Sequence, residues 1–136
     1  MNSYTVFVCP AEKLDPYLPL VFSKWLRSLR YGNDYFRLID QKAYYTAYHR
    51  YIQGILGHSE AAVRLAVLTD DPDVVLGFSV TRGPVLDYVH VHKDQRKLGI
   101  GRKLVPPGIT TITHVTRTGL SIWGAKMVGV AFNPFA

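Results

Sequence analysis

The chain has 136 residues, of which 48% are hydrophobic and 19% are charged, and these shares are typical of one globular domain spanning residues 1–136. No apolar run has the roughly 18 to 20 residues of a membrane helix, and the chain does not begin like a signal peptide, so we expect a soluble, cytoplasmic protein without a membrane partner. The net charge of +6 favours polyanionic partners such as nucleic acid or a multiply phosphorylated cofactor. A single cysteine, Cys9, excludes an internal disulfide.

The first 57 residues predict one strand and two amphipathic helices. Alternation of β-branched and aromatic residues predicts a strand over residues 4–9, which Pro10 stops. A helix follows Asp15 with apolar residues on one face at Leu18, Phe22, Trp25, Leu26 and Leu29. A second helix lies between Asp40 and Gly57, and its buried stripe is Tyr44, Tyr48, Tyr51, Ile52 and Ile55.

Three strands follow the helices. The apolar runs 62–68 and 74–80 are separated by an acidic turn that contains Pro72, which predicts an antiparallel hairpin. Residues 81–84 turn the chain again into an alternating run that ends at His92. The centre of the sequence therefore predicts a sheet.

A basic, glycine-containing turn follows the strand that ends at His92. Gly99 and Gly101 carry no side chains that would hold an anion away from the backbone, and N–H groups at the start of a helix can bind one pyrophosphate. Residues 93–103 contain five cations and one anion, so the positive charge is concentrated there. The pattern predicts a site for a phosphorylated ligand; the alternative is an ordinary strand-to-helix turn with lysines for solubility.

At this turn the sequence resembles a known family. Residues 95–101, Gln-Arg-Lys-Leu-Gly-Ile-Gly, are similar to the Arg/Gln-x-x-Gly-x-Gly/Ala signature of the GCN5-related N-acetyltransferases, and residues 87–91 resemble the strand before it. The resemblance covers roughly residues 4–104 and implies an α/β (α+β) fold: a mixed, mainly antiparallel sheet with helices on both faces. It also implies acetyl-coenzyme A as co-substrate, with the strand at Val89 and Val91 pairing with the pantetheine arm. The pyrophosphate-binding residues that it implies are Arg96, Lys97, Leu98, Gly99, Ile100, Gly101 and Arg102.

The C-terminal part departs from the family pattern. The family continues its pyrophosphate turn with a helix of several turns, but Pro106, Pro107 and Gly108 stop any helix about one turn after Gly101. The run 109–115 predicts a fifth strand, residues 118–126 a short helix and residues 127–132 a last strand. We therefore expect a shortened helix after the pyrophosphate turn.

Acetyl transfer to an amine needs a proton acceptor, and Asp87 is the predicted base because the resemblance places it beside the thioester. His90 and His92 are alternatives with more suitable intrinsic pKa values. The usual acid of the family is a tyrosine after the fifth strand, but this chain has no tyrosine after Tyr88. Trp123 falls near that position and cannot protonate a thiolate, so Ser121 or water would replace the acid.

Three other groups of residues have compositions that suggest a binding or catalytic site. The resemblance suggests Tyr35, Phe36, Tyr44 and Tyr45 for the acceptor pocket, although packing of a helix on the sheet is the favoured explanation of the tyrosine stripe. His90 and His92 share a strand face without a third ligand, so no metal is predicted. Ser121, His114 and Asp87 have the composition of a hydrolase triad, but no nucleophile elbow surrounds Ser121.

We therefore expect an acetyl-coenzyme A-dependent N-acetyltransferase that acts on an amine of a small molecule, a protein or a nucleobase. The first alternative is a non-catalytic subunit or binding module of the same fold in a larger assembly, for example a viral one, which would place it in the virion. The second is a basic nucleic-acid-binding protein. The acceptor and the oligomeric state, whether homo-oligomer or assembly subunit, stay open at this point.

Overall fold

A computed structural model describes residues 3–95, 99–114, 116 and 129–136. Its helices and strands, in chain order, are β1 (Tyr4–Val8), α1 (Leu18–Tyr31), α2 (Asp34–Arg37), α3 (Gln41–Leu56), β2 (Ala61–Leu68), β3 (Asp71–Arg82), β4 (Val85–Val91), α4 (Ile100–Leu104), β5 (Thr111–Ile112) and β6 (Ala131–Phe132). The strands form one sheet in the order β1-β2-β3-β4-β5-β6. β1 to β4 pair antiparallel, whereas β4–β5 and β5–β6 pair parallel. This confirms the mixed, mainly antiparallel sheet.

The helices α1 and α3 cover one face of the sheet. Trp25 and Leu29 of α1 and Ile52 of α3 are 0% exposed and belong to the same core cluster as Phe78 and Tyr88 of the sheet. α3 begins where predicted, because the Asp40 carboxylate accepts a hydrogen bond of 3.0 Å from the Ala43 N–H. Full burial of one such apolar side chain contributes about 1.5–3 kcal/mol, so this face is the main core of the molecule.

The short helix α4 packs on the opposite face, with Ile100 and Leu104 buried against Ala66 and Leu76. Gly77 permits this contact, since a Cβ at that position would lie 2.6 Å from the His90 carbonyl oxygen and 3.2 Å from Leu104 Cδ1. Helices therefore lie on both faces of the sheet, and the predicted shortening of the helix after the glycine turn is confirmed.

A buried hydroxyl fixes the end of α4. Ser79 of β3 is 0% exposed and donates a hydrogen bond of 2.7 Å to the Leu104 carbonyl oxygen. The carbonyls of the last turn of a helix have no partner within the helix, and an unpaired buried carbonyl is costly. Ser79 therefore anchors on the sheet a helix too short to be stable alone.

The β2–β3 hairpin is tighter than predicted. β3 begins at Asp71 instead of residue 74, because Leu68 pairs with Asp71 while Val67 pairs with Val75. Residues 72–74 are therefore an irregularity opposite one step of β2. Such a position suits Pro72, which has no N–H to donate to a ladder.

Two C-terminal elements are shorter in the structure than in the sequence prediction. The fifth strand comprises Thr111–Ile112 instead of residues 109–115, and the last comprises Ala131–Phe132. The predicted helix 118–126 lies outside the described residues. No helix in the described part of the chain is long and apolar enough to cross a membrane.

Candidate active site

The parallel strands β4 and β5 pair at their first residues and then part. Val85 pairs with Thr111 and Leu86 with Ile112, and the Thr113 N–H still donates to the Leu86 carbonyl oxygen at 3.1 Å. Within the described ranges no further β4–β5 pair follows, although β4 continues to Val91. The described pairing of β4 with β5 therefore ends beside Asp87 and Thr113.

A β-bulge in β4 stands where this described pairing ends. Val80 pairs with Tyr88 and Thr81 with Leu86, so Asp87 is one extra residue in β4. Bulges bend a strand and re-aim a side chain, and they are common beside active sites. The Asp87 side chain is 0% exposed, so its charge needs partners within the protein.

Arg82 supplies those partners. Its Nε donates to Asp87 Oδ2 at 2.6 Å and its Nη2 to Oδ1 at 2.8 Å, and Nη2 also donates to the Ala136 carbonyl oxygen at 3.1 Å. The hydrogen bond to Asp87 raises the pKa of Arg82, which therefore stays charged. Both oxygens of the predicted base are thus occupied by a guanidinium in a bidentate geometry.

The pair extends through Thr113 to a histidine. Thr113 is 1% exposed, and its Oγ1 donates to Asp87 Oδ1 at 2.9 Å. The same oxygen lies 2.9 Å from Nδ1 of His114. Four side chains, those of Arg82, Asp87, Thr113 and His114, therefore form one hydrogen-bonded row across β3, β4 and the end of β5.

Aromatic rings surround His114 on the side of the helices α1 and α3. Its ring centroid lies 6.1 Å from that of Trp25, 5.9 Å from that of Tyr48 and 5.5 Å from that of Tyr51. Burial lowers the pKa of His114 below 6.5, while the charge of Asp87 and a hydrogen bond to its backbone oppose this shift. The imidazole is therefore neutral near pH 7. Burial raises the pKa of Tyr48 to about 12, so this phenol keeps its proton.

Two aromatic residues near this row, Tyr88 and Trp25, also carry polar groups. Tyr88 stacks on Trp25 with ring centroids 5.0 Å apart, and its hydroxyl lies 2.5 Å from Ser28 Oγ of α1. The indole N–H of Trp25 is buried without a hydrogen-bond partner among the described residues. An unpaired buried donor is rare in proteins and calls for an explanation. The ring that carries this N–H lies beside the imidazole of His114, with ring centroids 6.1 Å apart.

The two histidines predicted as alternative bases, His90 in β4 and His92 just after it, do not join this row. His90 lies over Phe78 with ring centroids 5.7 Å apart and is partly buried on the α1–α3 face. His92 is exposed, and its Nδ1 accepts from the Asp94 N–H at 3.3 Å. Throughout the described ranges, no group of three or more His, Cys, Asp or Glu could hold a metal ion. Val89 and Val91 pack towards α4 on the other face.

The structure describes the second half of the predicted pyrophosphate turn, from Gly99 to Arg102. Gly99 has a φ of +82°, immediately before α4 begins at Ile100, and a Cβ there would meet no atom of the described residues within 4 Å. Arg102 is exposed, whereas Lys103 places its ammonium 5.0 Å from the centroid of the Tyr4 ring. Several predicted residues lie outside the described residues: Arg96, Lys97, Leu98, Ser121 and Trp123.

The tyrosines suggested for the acceptor pocket have different environments. Tyr44 is 1% exposed and donates to the Leu26 carbonyl oxygen at 2.6 Å, so it packs α3 against α1. Tyr35, in contrast, is 70% exposed. The rings nearest to the row of polar side chains are those of Tyr48 and Tyr51, which the sequence analysis assigned to a helix stripe.

Sequence reasoning missed Arg82 and Thr113 and treated His114 only as one member of a coincidental triad. A signal for Arg82 exists: the turn at residues 83–84 pairs Arg82 with Val85, and opposite charges at diagonal positions of a hairpin attract. Asp87 is the diagonal neighbour. Thr113 carries no comparable signal, because its contact depends on where β5 leaves the sheet.

The fold is similar to those of several solved proteins, two of which are described as acetyltransferases. A Pyrococcus furiosus protein described as an acetyl transferase is 17% identical, with a TM-score of 0.59 over 96% of this chain and 80% of that chain. YjaB from Escherichia coli, in its apo form, is 22% identical, with a TM-score of 0.51 over 88% of this chain and 66% of that chain. The GCN5-related glucosamine N-acetyltransferase region of a fungal multi-domain GH3 β-N-acetylglucosaminidase is 15% identical, with a TM-score of 0.52 over 76% of this chain and 11% of that chain.

No protein-family model matches the chain, and no curated protein is similar to it in sequence. At these identities the structural likeness shows the fold. The chain has the fold of the GCN5-related N-acetyltransferases, as the residues of the glycine turn suggested.

Proposed function

We propose that this chain, which has the fold of the GCN5-related N-acetyltransferases, transfers an acetyl group from acetyl-coenzyme A to an amine. The observation that carries the proposal is the hydrogen-bonded row from Arg82 to His114, which lies where the described pairing of β4 with β5 ends. In the proposal, the amide groups of the pantetheine arm pair with the backbone of β4 as an added strand would. The acetyl group would then lie near Asp87 and His114.

The cofactor-binding residues follow from this placement. The backbone at Val89 and Val91 is proposed to pair with the arm, and the turn that leads into α4 is proposed to hold the pyrophosphate. Gly99 supports this role, because its left-handed backbone leaves open space where a side chain would project. The other proposed phosphate contacts are the remaining residues of the turn: Arg96, Lys97, Leu98, Ile100, Gly101 and Arg102.

The amine is proposed to approach from the side of α1 and α3, where the row of polar side chains ends at His114. Asp87 keeps a role in the proposal, but through the hydrogen bond that it accepts from Thr113, since Arg82 already binds both of its oxygens. His90 and Ser121 stay predicted catalytic residues, and single substitutions test each of them. The acetyl transfer needs the amine neutral and the developing oxyanion stabilised.

An amine-dependent release of free coenzyme A tests the proposal. The chain is incubated with acetyl-coenzyme A and a panel of arylalkylamines, amino sugars, polyamines and peptides with free N-termini; free thiol and acetylated product are then measured. We expect at least one amine to raise thiol release above the rate without amine, with acetylated product in equal amount. If no amine is acetylated by a folded protein, the proposal is wrong.

A non-catalytic module of the same fold is the second candidate. The observation that favours it is α4, which has only five residues and therefore offers little surface to hold a cofactor in place. Such a module can bind acetyl-coenzyme A and yet acetylate nothing. A third outcome, tight duplex binding that weakens steeply with salt and no binding of acetyl-coenzyme A, would instead favour a nucleic-acid binder.

A further inference from the structure

We propose that His114 is a catalytic residue that takes the proton from the attacking amine and delivers it to the departing sulfur. The inference rests on the proposed acetyl transfer and adds to it a residue and a route for the proton. His114 belongs to the segment after β5, and the resemblance assigns it no catalytic role.

The row of hydrogen bonds determines which nitrogen of His114 carries a hydrogen. Asp87, paired with the guanidinium of Arg82, is a carboxylate and can only accept, so the hydroxyl hydrogen of Thr113 points to Asp87 Oδ1. The Thr113 oxygen can then only accept from its second neighbour, Nδ1 of His114, at 2.9 Å. Nδ1 therefore carries the hydrogen, and Nε2 presents a lone pair.

The surroundings of His114 keep the imidazole neutral and ready to accept a proton. The charged groups that face it are Asp87 of β4 and Arg82 of β3, whose charges oppose each other, and the titratable groups on α3 are the phenols of Tyr48 and Tyr51. These phenols keep their protons, because burial raises the pKa of both. When His114 becomes an imidazolium, the carboxylate of Asp87 stabilises its charge through Thr113. This is the arrangement that orients a base and stabilises its charged form in a Ser-His-Asp triad, here with a threonine between.

The proposed step is balanced. The neutral amine nitrogen forms a bond to the thioester carbonyl carbon, and the proton that it loses moves to Nε2 of His114. The tetrahedral intermediate then collapses, the carbon–sulfur bond breaks, and the electron pair leaves with sulfur. The same proton passes from Nε2 to the thiolate, so the products are the acetylated amine, coenzyme A as a thiol and His114 in its starting form.

This route removes the need for a separate acid. The chain has no tyrosine after Tyr88, and the phenols of α3 are poor acids because burial raises their pKa values. An imidazolium is a far stronger acid than a phenol. One imidazole, held by Thr113 beside Asp87, can therefore act first as base and then as acid.

His114→Asn provides the main test, since the asparagine amide can still donate to Thr113 but has no basic nitrogen at the position of Nε2. We expect kcat to fall roughly 10²- to 10⁴-fold, with binding of acetyl-coenzyme A unchanged, and the acidic limb of the pH profile of kcat/KM to disappear. His58→Asn is the matched control, because His58 is an exposed histidine whose Nδ1 only accepts from the Glu60 N–H. The inference is wrong if the two variants have similar kcat values.

Thr113 is a positioning residue in this account, and two substitutions separate positioning from stability. Thr113→Val removes the hydroxyl that links Asp87 to His114, so kcat should fall and the acidic limb of the profile should shift. Thr113→Ser keeps the hydroxyl, so kcat and the acidic limb should stay close to those of the parent, although loss of the methyl group leaves a small cavity. If serine and valine reduce kcat equally, Thr113 acts through packing and the relay is wrong.

A measurement independent of turnover keeps the two proposals distinguishable. Long-range ¹H–¹⁵N correlation spectra of the parent protein at neutral pH report the tautomer of each histidine. We expect a hydrogen on Nδ1 and a lone pair on Nε2 of His114. The opposite tautomer, or an imidazolium, would overturn the assignment of His114 even in an active enzyme. A parent that acetylates no amine would instead overturn the proposed function and, with it, the role of His114.

Discussion

Arg82 holds the carboxylate of Asp87 by two hydrogen bonds, 2.6 and 2.8 Å long, across the hairpin that joins β3 to β4. The Asp87 side chain is 0% exposed and that of Arg82 is 17% exposed, so the pair is largely shielded from water. A buried carboxylate without a partner is costly. The pair therefore fixes the bulge in β4 and, through Thr113, the point where β5 leaves β4.

Asp87→Asn should reduce both stability and turnover. Neutralising one member of a buried ion pair leaves the charge of Arg82 uncompensated, so we expect the free energy of unfolding to fall by about 3 kcal/mol. The amide can still accept from Thr113, so kcat should fall less than in His114→Asn. Urea unfolding and single-turnover rates of the folded variant measure the two effects.

A double-mutant cycle with Arg82→Gln separates pairing from other effects. In the double variant both charges are gone, and its stability loss should be clearly smaller than the sum of the two single losses. Additive losses would show that Arg82 and Asp87 do not stabilise each other. Asp94→Asn, at an exposed carboxylate near the end of β4, is the control for a general charge effect.

Stability should also depend on pH through His114. Burial holds the pKa of His114 in the folded state below its ordinary value of 6.5, so the unfolded chain binds the proton more readily. The contribution of this histidine to the free energy of unfolding is therefore fully present above pH 6.5 and is lost as the pH falls from 6.5 through the folded pKa. Urea unfolding above and below this pH measures the loss, which should be smaller in His114→Asn. Equal losses in the parent and the variant would show that other groups cause it.

The sequence predicts well those elements that depend on local pattern. α3 lies between Asp40 and Gly57 as predicted, because a capping carboxylate and a regular apolar stripe act within one helix. The glycine turn led to the correct fold, and the proline pair placed the end of the short α4. These features need no knowledge of the remainder of the chain.

The features that the sequence does not predict depend on contacts between residues far apart in the chain. The run 109–115 has the composition of a strand, yet the described pairs stop at Ile112, and the hydroxyl of the next residue, Thr113, donates to Asp87. The bulge at Asp87 likewise depends on the register of β3 against β4. The candidate site was therefore only half predictable: Asp87 stood out as a carboxylate on the right strand, but its partners did not.

The assignment of Gly99 to the pyrophosphate can be tested with a matched pair of glycines. Gly99 and Gly108 have φ values of +82° and +88°, and a Cβ at either would meet no atom within 4 Å in the part of the chain that the structure describes. Gly99→Val and Gly108→Val should therefore cause similar backbone strain. We expect only Gly99→Val to weaken acetyl-coenzyme A binding, as measured by calorimetry, beyond the effect of lost stability. Equal affinities in the two variants would remove Gly99 from the cofactor site.

Tyr44 is predicted to act in packing and not in acceptor binding. Tyr44→Phe removes the hydrogen bond of the phenol to the Leu26 carbonyl oxygen, which keeps its helical N–H partner within α1, so the free energy of unfolding should fall by about 0.5–1.5 kcal/mol. The KM for the amine should not change. Tyr35→Phe, at a side chain that is 70% exposed, is the control and should leave stability unchanged. A raised KM in Tyr44→Phe with unchanged stability would return Tyr44 to the acceptor pocket.

The central claim is that the chain binds acetyl-coenzyme A beside Asp87, where the described pairing of β4 with β5 ends, and calorimetric titration of the parent protein with this compound tests it most directly. We expect one molecule to bind per chain, with an affinity that changes only modestly with salt if backbone N–H groups supply most of the phosphate contacts. Gly99→Val should weaken the binding, whereas His114→Asn should leave it unchanged. The absence of any binding heat with a folded parent protein, confirmed by equilibrium dialysis, would contradict the account.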